Sequence, residues 1–204
     1  MIRLSIGALV AASFLSAQQL PPPSEWTRAD VETVRLPPAR FVSLPLAVRT
    51  ELDRRGCSIP QPFTAKANRP ENAIQGRFMS PTATDWAILC SRRRHSALLV
   101  FRGGGVAKID ELAAEEDASR LQVTGPGQIG YSRGILVANP GDIRQHNPNP
   151  DPSFPVLDHD GIHDAFIEKG SVIWYWSGVR WLQLAGADTR RPTEGRGMLG
   201  INGG

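Results

Sequence analysis

Apolar positions recur at helical spacing once and at strand spacing several times. Leu44, Val48 and Leu52 stand at i, i+4 and i+8, Ser43 precedes them as a cap, Pro45 falls in the tolerated first turn and Gly56 offers a left-handed stop. This spacing predicts one helix over 43–55. Elsewhere short apolar runs are separated by turn residues, the pattern of strands. Residues 72–78, 85–91 and 96–101 read as a three-stranded meander, broken at Ser80-Pro81 and at Arg92-Arg93-Arg94-His95. Trp86-Ala87-Ile88-Leu89-Cys90 is apolar at both parities, as a central strand covered on both faces must be. Residues 131–138 read as a further strand, and 164–168, 171–176 and 179–184 as a second meander. The two meanders share an outline: Asn72-Ala73-Ile74 with Phe78 leads into one hairpin, Asp160-Gly161-Ile162 with Phe166 into the other. Two units are too few for a solenoid or a propeller. The expected fold is α+β, mostly antiparallel β: two three-stranded meanders with one N-terminal helix.

Residues 106–123 keep no period and read as a helix or a solvated loop. Gly103-Gly104-Gly105 reads as a turn, since it lacks the Lys-Ser/Thr of a phosphate loop. Residues 139–160 form a polar connection containing Pro140, Pro148, Pro150, Pro152 and Pro155. Connections longer than about 12–15 residues inside a domain are usually functional or disordered. The organisation expected is a signal peptide over 1–17, a Pro-rich leader over 18–40, one globular domain over 41–184 and a flexible tail over 185–204.

The N-terminal segment supplies the address. Arg3 precedes an apolar run over 4–15, and Ala17 is a small residue at a cleavage point before Gln18. A dozen apolar residues are short for a membrane span, which needs roughly 20. The expected location is secreted or periplasmic, with no membrane association beyond the signal peptide. The chain of 204 residues carries 23 Lys+Arg against 20 Asp+Glu, and losing residues 1–17 removes one Arg and leaves a charge of +2. That near neutrality, with no basic face or helix, gives no nucleic-acid footprint. The Arg92–Arg94 run reads as a solvated hairpin tip.

Export changes what two cysteines mean. Cys57 and Cys90 are the only pair, and an oxidising compartment favours a bridge between them. It would staple the end of the expected helix to a central strand.

Two constellations carry candidate chemistry. Asp158, His159, Asp160, His163 and Asp164 gather carboxylates and imidazoles around Gly161, with His146 and Asp151 upstream. They are candidate ligands of a divalent cation, although the alternation resembles only the start of a calcium loop and lacks its distal Glu. His159 and His163 stand at i, i+4, which would chelate only on a helix. The competing reading is a polar turn whose Asp side chains bond backbone N–H groups. In the second constellation parity places Trp174 and Trp176 on one strand face. A Ser177-Gly178 turn would pair Trp174 with Trp181 and set three indoles together, as a platform for a flat ligand or as core.

The words Gly56-Cys57-Ser58-Ile59-Pro60-Gln61, Asp85-Trp86-Ala87-Ile88-Leu89-Cys90 and His159-Asp160-Gly161-Ile162, with Asp164, Phe166, Glu168-Lys169 and Ser171, resemble a group of uncharacterised exported bacterial proteins. The resemblance spans residues 41–188 and implies export and paired cysteines. Gly76 and Phe78 followed by Asp85-Trp86-Ala87 are also similar to FG-GAP/VCBS-type hairpins, but residues 79–84 have no carboxylate to make their calcium loop. The expected function is a non-catalytic binding or interaction module for an extracytoplasmic ligand or protein. The alternative is a metal-dependent hydrolase built on the 158–164 cluster.

Overall fold

The helix expected after Ser43 forms, but it starts later and ends more firmly than the sequence pattern implies. It runs from Leu46 to Arg54 with Pro45 at its N-cap and no side-chain cap, so Ser43 does not serve there. At its end Gly56 takes φ +70°, its N–H donates to Asp53 C=O at 2.9 Å, and Cys57 N–H donates to Leu52 C=O at 2.9 Å. That pair of bonds is a Schellman stop, and it delivers Cys57 at a fixed angle. Cys57 and Cys90 are joined as a disulfide, with their Cα atoms 5.0 Å apart.

The computed structural model describes residues 24–150 and 152–187; residues 1–23, with the expected signal peptide and the start of the expected leader, Asp151, and residues 188–204 of the expected tail lie outside the described residues. In chain order the elements are α1 (Glu25–Glu32), β1 (Arg35–Leu36), α2 (Leu46–Arg54), β2 (Ile59–Pro60), β3 (Ala73–Gly76), β4 (Asp85–Arg92), β5 (His95–Phe101), β6 (Ile109–Glu116), β7 (Leu121–Gly125), β8 (Gln128–Tyr131), β9 (Arg133–Ala138), α3 (Pro140–His146), β10 (Gly161–Phe166), β11 (Gly170–Trp176) and β12 (Trp181–Ala185). Strands β3-β4-β5-β6 form one antiparallel sheet and β12-β11-β10-β9 another, while β1-β2 and β7-β8 are two-stranded. The α+β, mostly antiparallel character therefore holds. Three α-helices and four sheets among the described residues correct the expectation of two three-stranded meanders and one helix.

Each correction has a local cause. The first meander gains β6, whose alternation is broken opposite Ala97, where Ala113 takes φ +50° in a bulge. A bulge inserts an unpaired residue and shifts the face of everything beyond it, which hides the period. The second meander gains β9, pairing in continuous register from Arg133↔Phe166 to Ala138↔Gly161. Helix α3 starts inside the polar connection through a capping box. Asn139 Oδ1 accepts from Gly141 and Asp142 N–H, and Asp142 accepts from Asn139 N–H. In α1, Asp30 alone is buried, so apolar periodicity has nothing to report.

The two four-stranded sheets face each other. Ala87, Leu89, Leu98 and Val100 of the first meet Ile135 and Ile162 of the second, with Phe78 buried between them. Opposite parities of β4 and β5 send Trp86, Ile88, Cys90, Leu99 and Phe101 outward against Val48 and Leu52 of α2. The outer face of the second sheet is covered by Ile143 of α3 and by Phe154 and Leu157 of the connection. The central strands β4 and β5 are thus apolar on both parities because both their faces are covered.

Polar groups join the sheets along one side. Asn72, at φ +68°, is buried before β3. Its side chain donates to Pro60 C=O at 2.7 Å and Arg133 C=O at 3.0 Å, and accepts from Ile135 N–H at 3.0 Å. Asn tolerates this left-handed backbone better than most residues. Beside it the fully buried Arg133 side chain grips Asp164 through Nε at 2.9 Å and Nη2 at 2.8 Å, reaches Glu115 at 3.0 Å, and donates to the bulged Ala113 C=O at 2.9 Å. Burial lowers the Arg133 pKa, but the Asp164 hydrogen bonds and the Asp164 and Glu115 charges more than reverse it. A second buried carboxylate, Asp117, accepts from Arg35, Ser91 and Ser96 and ties the α1–β1 segment to the first sheet.

Candidate functional site

The β11–β12 hairpin turns one residue later than expected. Ser177 N–H donates to Arg180 C=O at 2.9 Å, leaving Gly178, at φ +88°, and Val179 at the tip. Trp176 consequently pairs with Trp181, and Trp174 with Gln183. The slip moves both partners together, so the three indoles stay on one face as parity requires. Trp176 and Trp181 meet edge to face with centroids 5.7 Å apart, and Arg102 lies 4.6 Å over the Trp176 ring while paired to Asp110. Trp174 and Trp181 pack against the inter-sheet core, and their Nε1 atoms are buried. Of the three indoles Trp176 lines the cleft beside β12, while Trp174 and Trp181 do not.

That cleft, of about 770 Å³, runs beside β12. Its floor includes residues 182–184, one wall is residues 79–81 after β3, and the other is residues 153–156 of the connection. Asp158, His159, Trp176 and Arg180 reach it at the hairpin end. His159 is stacked on Tyr175 with centroids 4.3 Å apart and planes within 6°. Its Nδ1 lies 3.0 Å from Asp160 C=O and its Nε2 3.0 Å from Trp176 C=O. The Tyr175 hydroxyl donates to Val156 C=O at 2.8 Å and receives Asp158 N–H at 3.2 Å; burial pushes its ionisation upward. These bonds pin the wall to the hairpin. The polar groups expected to carry chemistry hold the cleft in shape.

The five candidate metal ligands go to different partners. Asp160 accepts from Arg77 N–H at 3.0 Å and donates its own N–H to Arg77 C=O at 2.9 Å. Asp164 is committed to Arg133 between the sheets. His163 lies on the opposite face of β10, 3.0 Å from Ser171 Oγ and edge-on to His146 with ring centroids 6.0 Å apart. Successive residues of a strand leave on opposite faces, which separates His163 from Asp164. Asp158 and His159 stay together at the cleft, 3.7 Å apart. No group of three His, Cys, Asp or Glu is gathered to hold a metal among the described residues.

The sequence pattern missed the walls of the cleft and the open side of β12. The five prolines of the 139–160 connection mark one wall, but residues 79–81 join only through the packing of one sheet on the other. Compared with protein-family models, curated proteins and solved structures, the chain matches none.

Proposed function

We propose that the chain is an exported, non-catalytic binding module and that the cleft beside β12 is its ligand site. The observation that carries this reading is the bracing of the cleft. His159 has a backbone carbonyl 3.0 Å from each ring nitrogen and donates its ring N–H to one of them, it is stacked on Tyr175, and Tyr175 fixes residues 156 and 158. A preformed concave site with a few fixed polar groups among apolar walls is how proteins hold small ligands and peptides. The same bonds occupy the groups a hydrolase would need free. The Arg3-led apolar start, Ala17 and the Cys57–Cys90 disulfide support export to an oxidising compartment, as does the resemblance to exported bacterial proteins.

The test is a fragment screen by amide chemical shifts, using sugar, amino-acid and aromatic-acid fragments on the mature protein. The expected result is that binders shift the amides of Asp158, His159, Trp176 and Arg180 as one cluster. Binders clustering on another surface would reject the cleft as the site.

A further inference from the structure

We infer that the cleft takes an extended peptide segment, added to β12 as a fifth strand of the second sheet; this rests on the cleft being the ligand site. Among the described residues strand β12 has β11 on one side and no strand on the other. The Ser177–Arg180 bond closes the hairpin, and beyond it Tyr175 pairs with Leu182 and Ile173 with Leu184. Bonded and non-bonded pairs alternate along an antiparallel ladder. Leu182 and Leu184 therefore turn their N–H and C=O groups to β11, and Trp181 and Gln183 turn theirs away, along the cleft. The open stretch ends at Ala185, whose C=O receives Asn147 Nδ2 at 3.0 Å.

The opposite edge of the same sheet shows what a closed edge looks like. There the alternation turns Arg133 and Ile135 outward, and the Asn72 side chain takes Arg133 C=O and Ile135 N–H. At β12 no such side chain among the described residues bonds the Gln183 backbone. Paired donors and acceptors repeating every second residue are matched by another backbone, the basis of strand addition. Met79 and Pro81 on one wall and Phe154 and Val156 on the other would receive the alternating side chains of that strand.

Charge narrows the occupant. The Arg180 guanidinium, exposed at the cleft mouth, has no ion pair among the described residues, while the half-exposed Asp158 carboxylate at the same end lies 3.3 Å from the Tyr175 hydroxyl and 3.7 Å from His159. The segment accordingly carries a carboxylate at the hairpin end. A second copy of the chain is a poorer occupant, because its own β12 lies between the same two walls, which block approach to the ~4.8 Å spacing of a ladder.

The experiment pans a phage-displayed random heptapeptide library on the full mature chain. The recovered peptides, made with a fluorescent label, are then titrated against wild type, Q183A, Q183P and V156W. The Gln183 N–H is not used within the sheet, so proline there breaks no ladder bond while it removes the outward donor, and thermal melting checks that the fold accepts its fixed φ. Expected are acidic peptides that bind wild type and Q183A alike and lose about tenfold or more affinity with Q183P and with V156W. Equal binding to Q183P and wild type with loss in V156W overturns strand addition and leaves the cleft as the site. Equal binding to all four overturns both readings. No enriched peptide, or a wild-type dimer that Q183P dissolves, also overturns the inference. Should Q183P not fold, methylation of the peptide's backbone nitrogens decides: loss at every second position supports pairing, and uniform tolerance refutes it.

Discussion

In the first meander β4 and β5 are buried along almost their whole length, with α2 and the disulfide on one face and the second sheet on the other. In the second, β11 alternates between buried and half-exposed positions along its C-terminal half, β12 is half-buried to exposed throughout, and the outer cover is a short helix and a connection. The two sheets have the same strand count and the same meander topology. Their edges differ. β9 is closed by a buried asparagine, and β12 opens on a braced cleft. Open strand edges invite pairing, and proteins usually blunt them. Here the blunted edge faces the joint between the sheets, and the open one lies where a ligand could enter. A doubly covered sheet supplies rigidity, and a singly finished one supplies the surface.

The largest blow to this arrangement falls at the joint. R133M leaves the Asp164 carboxylate buried without its partner, which is expected to cost about 3–5 kcal/mol in chemical denaturation. The double variant R133M/D164L should recover most of that loss, because both desolvated charges are then gone. A single variant as stable as wild type would mean that the sheets do not depend on this pair.

The staple under the first meander ranks next. Its loop closes 34 residues, so C57A/C90A should lose about 3–4 kcal/mol on the loop-entropy account. Binding at the cleft should survive in the folded fraction, since the staple lies on the far face of the other sheet.

Asn72 sharpens the contrast between the edges. N72A forfeits three side-chain hydrogen bonds and puts alanine at positive φ, with an expected loss of about 2–3 kcal/mol. It should also expose the β9 edge, and a rise in concentration-dependent association of the variant would show it.

The smallest effect concerns pH. Burial, and then the nearby His146, lower the pKa of His163 in the folded protein. The unfolded chain, with an ordinary imidazole near pKa 6.5, therefore binds a proton first as pH falls. The contribution of His163 is complete above about pH 7 and is lost on acidification through the unfolded pKa and down to the lowered folded one. H163Q should show a shallower fall in melting temperature from about pH 7.5 to about pH 5.5 than wild type. An identical slope would remove His163 from the account.

How much of this was legible depends on where the information lies. The covered strands β4 and β5 announce themselves because burial on both faces demands apolar residues at both parities. Leu44, Val48, Leu52 and Gly56 mark α2, and Cys57 and Cys90 find each other across it. The common face of Trp174, Trp176 and Trp181 follows from parity alone, although the turn that sets their pairing sits one residue later. The rest is carried by polar groups, which leave no period. Asp30 anchors α1, Asn139 caps α3, and Asn72 and Arg133 join the sheets through single long-range contacts. The Asp158–Asp164 cluster looks like one site when written in a line; the alternation of β10 and the demand of Arg133 for a counter-charge take it apart.

The central claim is that the second sheet has one closed edge and one open one. Amide hydrogen exchange, resolved by residue, tests it directly on the free protein. The account predicts strong protection at Ile135, whose N–H is held by Asn72, and rapid exchange at Trp181 and Gln183, with Leu182 and Leu184 between and beyond them protected. Protection of Trp181 and Gln183 equal to that of Leu182 would show that the β12 edge is already occupied, and would contradict it.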